Sequence, residues 1–234
     1  MWKRRIQVQE KNENRAKRVF CSWSGGKDSC LACYRAMLDG RFEVSHLLNF
    51  LAEDGKRERA HGTRSSLLKL QSEAIGIPIV QVNASWSGYE RKFKQAVSEL
   101  KLKGVQGGVF GDIDLIEHRE WVERICSDLE IEPVIPLWGR APEDIVREFI
   151  EEGFEAIVVA TRIKEEWLGR RFDESFIEEL KNYNFNLCGE SGEYHTFVVD
   201  GPIFKRRLKI NVNELERVHV NGMWFLDIKS GELV

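Results

Sequence analysis

Ser24-Gly-Gly-Lys-Asp-Ser29 gathers phosphate-binding chemistry into six residues. Gly25 and Gly26 allow positive φ and let the backbone approach a ligand closely. Successive amides in such a turn form an anion nest, and a helix N-terminus adds partial positive charge. Ser22, Ser24 and Ser29 supply hydroxyls, and Lys27 a point charge. Asp28 can orient Lys27 or hold Mg²⁺. The set suits a pyrophosphate group. It is not the Walker pattern, which needs four residues between the first Gly and the Gly-Lys pair.

A second constellation runs Gly189-Glu-Ser-Gly-Glu-Tyr-His-Thr196. Glu190 and Glu193 lie three residues apart beside Gly189 and Gly192, which predicts a tightly turned loop. Such a loop can bind Mg²⁺, position ammonium or act as a base. The plainer alternative is a polar hairpin turn. Gly111 and Asp112 follow an apolar run; a carboxylate there reaches a ribose or Mg²⁺, or caps the next helix. His61 falls near the expected nucleotide crevice, or caps its loop. Trp138 and Arg140 end a further run, and Arg140 suits bidentate contact to a phosphate or carboxylate, or a surface salt bridge. Cys30 and Cys33 form a CxxC, but share a helix face with Met37 beside Leu31, Tyr34 and Leu38. We read them as packing, with no second CxxC to complete a metal site.

The elements that must hold these residues alternate. Short apolar runs at 19–22, 44–51, 78–82, 105–110, 133–137 and 154–160 predict six strands. Helical stretches at about 27–38, 65–75, 89–103, 115–129 and 142–152 lie between them. This predicts an α/β fold with a doubly wound, mostly parallel sheet. The rhythm breaks after about residue 162. Asn221-Gly222 between alternating runs signals a hairpin, so the tail is expected to be a small α+β domain. The expected organisation is a basic arm over 1–17, a nucleotide-binding domain over 18–162 and a substrate domain over 163–234.

Composition sets the outer limits. At 234 residues with 42% hydrophobic and 31% charged, the chain can bury a substantial core. No apolar run approaches a membrane span, and no secretory leader is visible. Five cysteines without framework spacing point to a reducing cytoplasm. The net charge of −3 gives no general case for nucleic acid. Residues 1–18 hold seven Lys or Arg against two Glu, either a solvated arm or a contact to RNA or an acidic partner.

The SGGKDS turn after strand one resembles the PP-loop of the N-type ATP pyrophosphatases, whose fold is the adenine-nucleotide α-hydrolase type. Leu70-Gln-Ser-Glu-Ala-Ile-Gly-Ile-Pro78, Pro136-Leu-Trp-Gly-Arg140, Trp167-Leu-Gly-Arg170, Cys188 to Phe197 and Asp200-Gly-Pro-Ile-Phe204 follow in order. Over roughly residues 18–210 the chain is similar to the diphthine–ammonia ligase family. Ser191 stands where that family more usually has Gly, and His195 where it has Glu. The resemblance implies amidation of the diphthine carboxylate on translation elongation factor 2, with ATP and ammonium.

Residues and resemblance together set the expectations. Lys27, Asp28, Glu190 and Glu193 are the catalytic candidates. Ser22, Ser24, Gly25, Gly26, Lys27, Asp28, Ser29, His61, Gly111 and Asp112 are the ATP-binding set, with Asp28 the Mg²⁺ candidate. Trp138, Arg140, Gly189, Glu190, Tyr194 and His195 are the acceptor-binding set. The expected activity adenylates an acceptor carboxylate, releases pyrophosphate and transfers ammonia as AMP leaves. No glutaminase domain is visible, so ammonia would come from solution or a separate partner. Two alternatives stay open: a PP-loop enzyme modifying a tRNA base, and a nucleotide-binding sensor without turnover. Homodimerisation is left open.

Overall fold

Val19, Phe20 and Cys21 are fully buried because β1 (Lys17–Ser22) has a strand on either side and helices on both faces. The computed structural model describes residues 16–211 and 215–234; the basic arm through residue 15 lies outside the described residues. Around β1 stand β2 (Phe42–Leu51), β3 (Ile79–Asn83), β4 (Gly107–Val109) and β5 (Glu132–Val134), all parallel, in the order β3-β2-β1-β4-β5. The connections are α1 (Lys27–Leu38), α2 (Ser65–Ile75), α3 (Tyr89–Lys101) and α4 (Ile116–Asp128), with α5 (Pro142–Glu151) after β5. The strand order reverses at β1, so the loop leaving it opens at the switch point where α/β sheets bind ligands.

Alternation along β1 divides the core. Val19 and Cys21 pack with Cys30, Cys33, Leu67 and Leu68. Phe20 points to the other face, edge-on to Phe93 at 6.0 Å and Phe110 at 5.8 Å. The fold is the expected doubly wound α/β sheet, with both faces covered. Cys30 and Cys33 are packed as expected. Met37 and Leu38 are not: the buried stripe of α1 ends at Ala36, and residues 37–41 turn through solvent.

The sixth strand corrects the expectation. Residues 154–160 were to extend the parallel sheet. Instead β6 (Glu155–Thr161) lies antiparallel between β7 (Tyr194–Asp200) and β10 (Met223–Ile228), with β9 (Leu215–Val220) at the edge. An unbroken apolar run fits a central strand of either sheet, and its partners come from the end of the chain. The β9–β10 turn is the expected hairpin, with Asn221 and Gly222 both at positive φ, 51° and 77°. A 3₁₀ turn (Glu165–Trp167) and α6 (Glu174–Leu180) precede β7, and β8 (Leu208–Ile210) pairs with β11 (Gly231–Leu233). The second sheet packs into the same core as Val19 and Cys21, which brings β7 against the loop after β1.

Candidate active site

The loop after β1 is clamped from behind. Gln71 of α2 is fully buried; its Nε2 donates to the carbonyls of Gly25 (3.0 Å) and Val198 (2.7 Å), and its Oε1 accepts from Trp23 Nε1 (3.1 Å). The Val198 amide donates to Gly25 O at 3.0 Å, so β7 meets the loop directly. Gly25 sits at φ +80°, and a Cβ there would fall 2.5 Å from Gln71 Oε1. Only glycine fits both the conformation and the space. The amide of Gly26 donates to Ser24 Oγ at 3.3 Å and that of Lys27 to Thr196 Oγ1 at 3.0 Å.

Lys27 is buried. Its ammonium donates to Asp28 Oδ2 at 2.8 Å and to the carbonyl of Cys188, and lies 5.2 Å from the Tyr194 ring centre. Burial, the largest single influence, pulls its pKa down, but Asp28, Tyr194 and Cys188 together outweigh burial and raise it, so the lysine stays protonated. Burial pushes the Asp28 carboxyl up, against the pull of Lys27. Asp28 Oδ1 is buried with no partner.

From the other side comes the loop after β4. A Cβ on Gly111 would meet the Asp28 carbonyl carbon at 2.9 Å, its oxygen at 3.0 Å and the Ser29 amide at 3.1 Å. Only a bare backbone lets this loop lie on the first turn of α1. Asp112 follows, 3.2 Å from Nδ1 of His118, whose pKa rises first through that hydrogen bond. Asp114 accepts from Asn186 Nδ2 at 2.6 Å, and Asn186 Oδ1 accepts the Cys188 amide at 2.8 Å.

That contact anchors the glycine-rich acidic loop, which turns through Gly189 (φ +69°) and Gly192 (φ +82°). Glu190 is pushed up to about 7, by burial first and then by Asp28, Asp112 and Asp114. The Tyr194 hydroxyl donates to Leu187 O. His195 stacks on His61, ring centres 4.4 Å apart and 21° from parallel. His61 Nδ1 lies 3.2 Å from Thr196 O; a carbonyl only accepts, so Nδ1 carries the proton. Burial lowers His61 to about 4 and holds His195 below its usual range, so both rings are neutral at pH 7.

One open cavity of about 210 Å³ joins these parts. Ser22 at the end of β1, Ser24 of the loop after it and Lys27, Asp28 and Ser29 of α1 line it, with His61, Gly111 and Asp112 from the neighbouring loops. Gly189, Glu190, Tyr194 and His195 close it from the acidic loop. Gly25 and Gly26 shape the loop behind this lining. Glu193 does not line it; its carbonyl accepts from Thr161 Oγ1 and the Arg162 amide, both at 3.1 Å, and its Oε2 is buried without a partner. Trp138 and Arg140 are not brought in either. The Arg119 guanidinium lies 5.1 Å from the Trp138 ring centre, and Arg140 is paired with Glu148 at 2.6 Å. Sequence reasoning missed His118 and Cys188, which also line the cavity. A histidine in the first turn of the helix after Asp112 was the available signal for His118; Cys188 contributes its backbone carbonyl, which no residue type announces.

Among the described residues, no three His, Cys, Asp or Glu side chains are grouped to hold a metal by themselves. The orphaned Asp28 Oδ1 beside Asp112 and Glu190 does fit a cation that brings phosphate oxygens as its other ligands. No described helix is long and apolar enough to cross a membrane.

A glycine-rich turn at the switch point of a parallel sheet, with a charged lysine on the helix it opens, defines an α/β protein with a phosphate-binding type of loop. The chain belongs to the diphthamide synthase family: the family's N-terminal domain model matches residues 17–133 and its C-terminal domain model residues 141–234. A rat protein named diphthine–ammonia ligase is 28% identical over 225 residues, covering 84% of each chain. The human protein of that name is 26% identical over 234 residues, covering 85% of this chain and 84% of its own. A solved chain described as a predicted subunit of tRNA methyltransferase from Methanocaldococcus jannaschii aligns with TM-score 0.44 and 17% identity. It covers 80% of this chain and 98% of that one. The named relatives are ligases.

Proposed function

We propose that this chain is an ATP-dependent amidoligase that adenylates a diphthine-type carboxylate and transfers ammonia to it. The observation that carries the reading is the convergence of the buried, charged Lys27, the PP-loop amides, Asp28 and Glu190 on one cavity. The relatives' names supply the acceptor class and the nitrogen donor.

In this reading the β and γ phosphates displace Thr196 Oγ1 and Ser24 Oγ from the loop amides. The acceptor carboxylate attacks the α-phosphorus and pyrophosphate leaves. Two anions must approach, and Lys27 with the loop N–H groups neutralises the charge that develops. Asp28 and Asp112 would hold Mg²⁺, which would offset phosphate charge when bound. Ammonia then attacks the acyl carbon, and AMP departs with the electron pair of the broken C–O bond. Ammonium must first lose a proton, and the new C–N adduct a second. Glu190, titrating near neutrality, accepts one of them, and solvent water takes the other. The neutral rings of His61 and His195 offer hydrogen bonds without adding positive charge beside Lys27.

The test supplies ATP, ammonium and a diphthine-bearing elongation factor, and measures AMP, pyrophosphate and the acceptor's mass. Amide formation stoichiometric with AMP supports the reading. ADP and phosphate as products, or adenylation that needs RNA in place of a carboxylate, would sink it.

A further inference from the structure

The loop over residues 52–64 delivers His61 to the cavity but is fastened by the far end of the chain. Asp227 of β10 is buried, and its carboxylate takes two of that loop's three arginines, Arg57 and Arg64. Arg64 binds it bidentately, Nε to Oδ1 at 2.8 Å and Nη2 to Oδ2 at 2.7 Å, while Arg57 Nη2 reaches Oδ2 at 2.8 Å. Arg57 Nη1 also donates to Gly62 O at 2.9 Å, one residue from His61. Gly62, at φ +68°, lies on the Phe225 ring; a Cβ there would fall 2.8 Å from Phe225 Cδ1.

The same strand controls the opposite wall. Trp224 and Phe225 pair with Thr161 and Ala160 of β6. Those two β6 residues pair with Tyr194 and His195 of β7. Two short routes therefore leave β10. One runs through Asp227 and Phe225 to His61, the other through β6 to His195. They meet where the two imidazoles stack.

We infer that Asp227 is a positioning residue, setting the His61–His195 contact and with it the nucleotide wall of the cavity. The inference rests on the ATP-ligase reading only for its kinetic consequence; the ring contact can be measured without substrate. A paired carboxylate this buried holds two cations in fixed geometry, and loss of its charge leaves both arginines free to leave.

The test is Asp227→Asn, which keeps the shape and removes the charge. A second variant, Arg57→Gln, leaves the bidentate Arg64 pair intact and keeps the question open if Asp227→Asn fails to fold. The first readout is the ring-to-ring nuclear Overhauser effect between His61 and His195 in the free protein. It should be lost in Asp227→Asn and weakened in Arg57→Gln. The second is kinetics: KM for ATP should rise roughly tenfold while kcat changes less than about threefold, the pattern of a displaced binding wall. Folded variants with an intact ring contact and unchanged KM, or with only a lower melting temperature, would overturn the inference. A wild-type protein that shows the ring contact but never cleaves ATP would refute the ligase reading and leave the positioning role standing.

Discussion

The ammonium of Lys27 donates to the carbonyl oxygen of Cys188, which joins the PP-loop to the acidic loop through one side chain. The two loops that wall the cavity therefore share a cation. Removing it should affect both.

Lys27→Ala is expected to cut AMP and pyrophosphate production by about 10²-fold or more, the usual effect of losing one charge-stabilising donor. The acidic loop should also loosen, because Cys188 O and Asp28 Oδ2 lose their donor. Single-turnover assays with radiolabelled ATP, alongside hydrogen exchange over residues 186–196, check both halves. Near-normal turnover would remove Lys27 from the mechanism.

Glu190→Gln keeps the size of the side chain and removes its charge. We expect ATP affinity to stay within about threefold and amide formation to be lost, since the charge is needed for the proton rather than for the phosphates. Calorimetry and mass spectrometry on the same sample separate the two. A collapse of ATP affinity would make Glu190 a ligand of the metal–nucleotide complex instead.

The raised carboxyl also has a stability signature. Glu190 and Glu58 are each pushed up to about 7 from an ordinary 4.5, in both cases by burial first. The folded protein thus binds these protons more tightly than the unfolded chain does. Their favourable contribution is complete below about pH 4.5 and is lost as pH rises through about 7. Between those limits the melting temperature of Glu190→Gln should fall less steeply with rising pH than that of the wild type. Parallel slopes would show that the carboxyl is not buried in solution.

Gly111→Ala tests the close approach of two backbones. The added methyl meets only main-chain atoms of Asp28 and Ser29, so no flexible side chain can yield. The loop carrying Asp112 must shift off α1, and ATP should bind about tenfold or more weakly while the core stays intact. Unchanged affinity would mean that the loop adapts without cost.

Cys33→Ala separates packing from chemistry. Cys33 is fully buried among Cys21, Cys30 and Leu31. Chemical denaturation should show a loss of about 1–2 kcal/mol with ATP cleavage preserved. Iron in the purified protein, or an inactive but folded variant, would reverse that reading.

The nucleotide half of the site was legible because its residues are local: Ser22 to Ser29 lie on one turn, and the flanking strand and helix announce themselves by period. The acidic loop was legible from its glycines and paired glutamates. What escaped depends on pairing across the chain. The run at 154–160 looks alike in either sheet, and only its partners at 194–200 and 223–228 decide. Trp138 and Arg140 seemed to end a strand at the crevice. But β5 is the edge strand, and Arg140 is paired with Glu148 of the next helix rather than lining the cavity. Gln71, mid-helix between Leu70 and Ser72, gave no hint that it holds the loop after β1 to β7.

The hydrogen bonds that complete the PP-loop span most of the chain: Lys27 N–H to Thr196 Oγ1 crosses 169 positions, and Lys27 Nζ to Cys188 O crosses 161. On a translating ribosome, at about 5–20 residues per second, the loop emerges on the order of 10 to 30 s before its partners do. Throughout that interval the glycine-rich turn has its lysine unpaired from Cys188 and one wall of the cavity missing. The cavity is thus incomplete until β7 has been synthesised, and a chain terminated before β7 has the glycine-rich turn but no finished site.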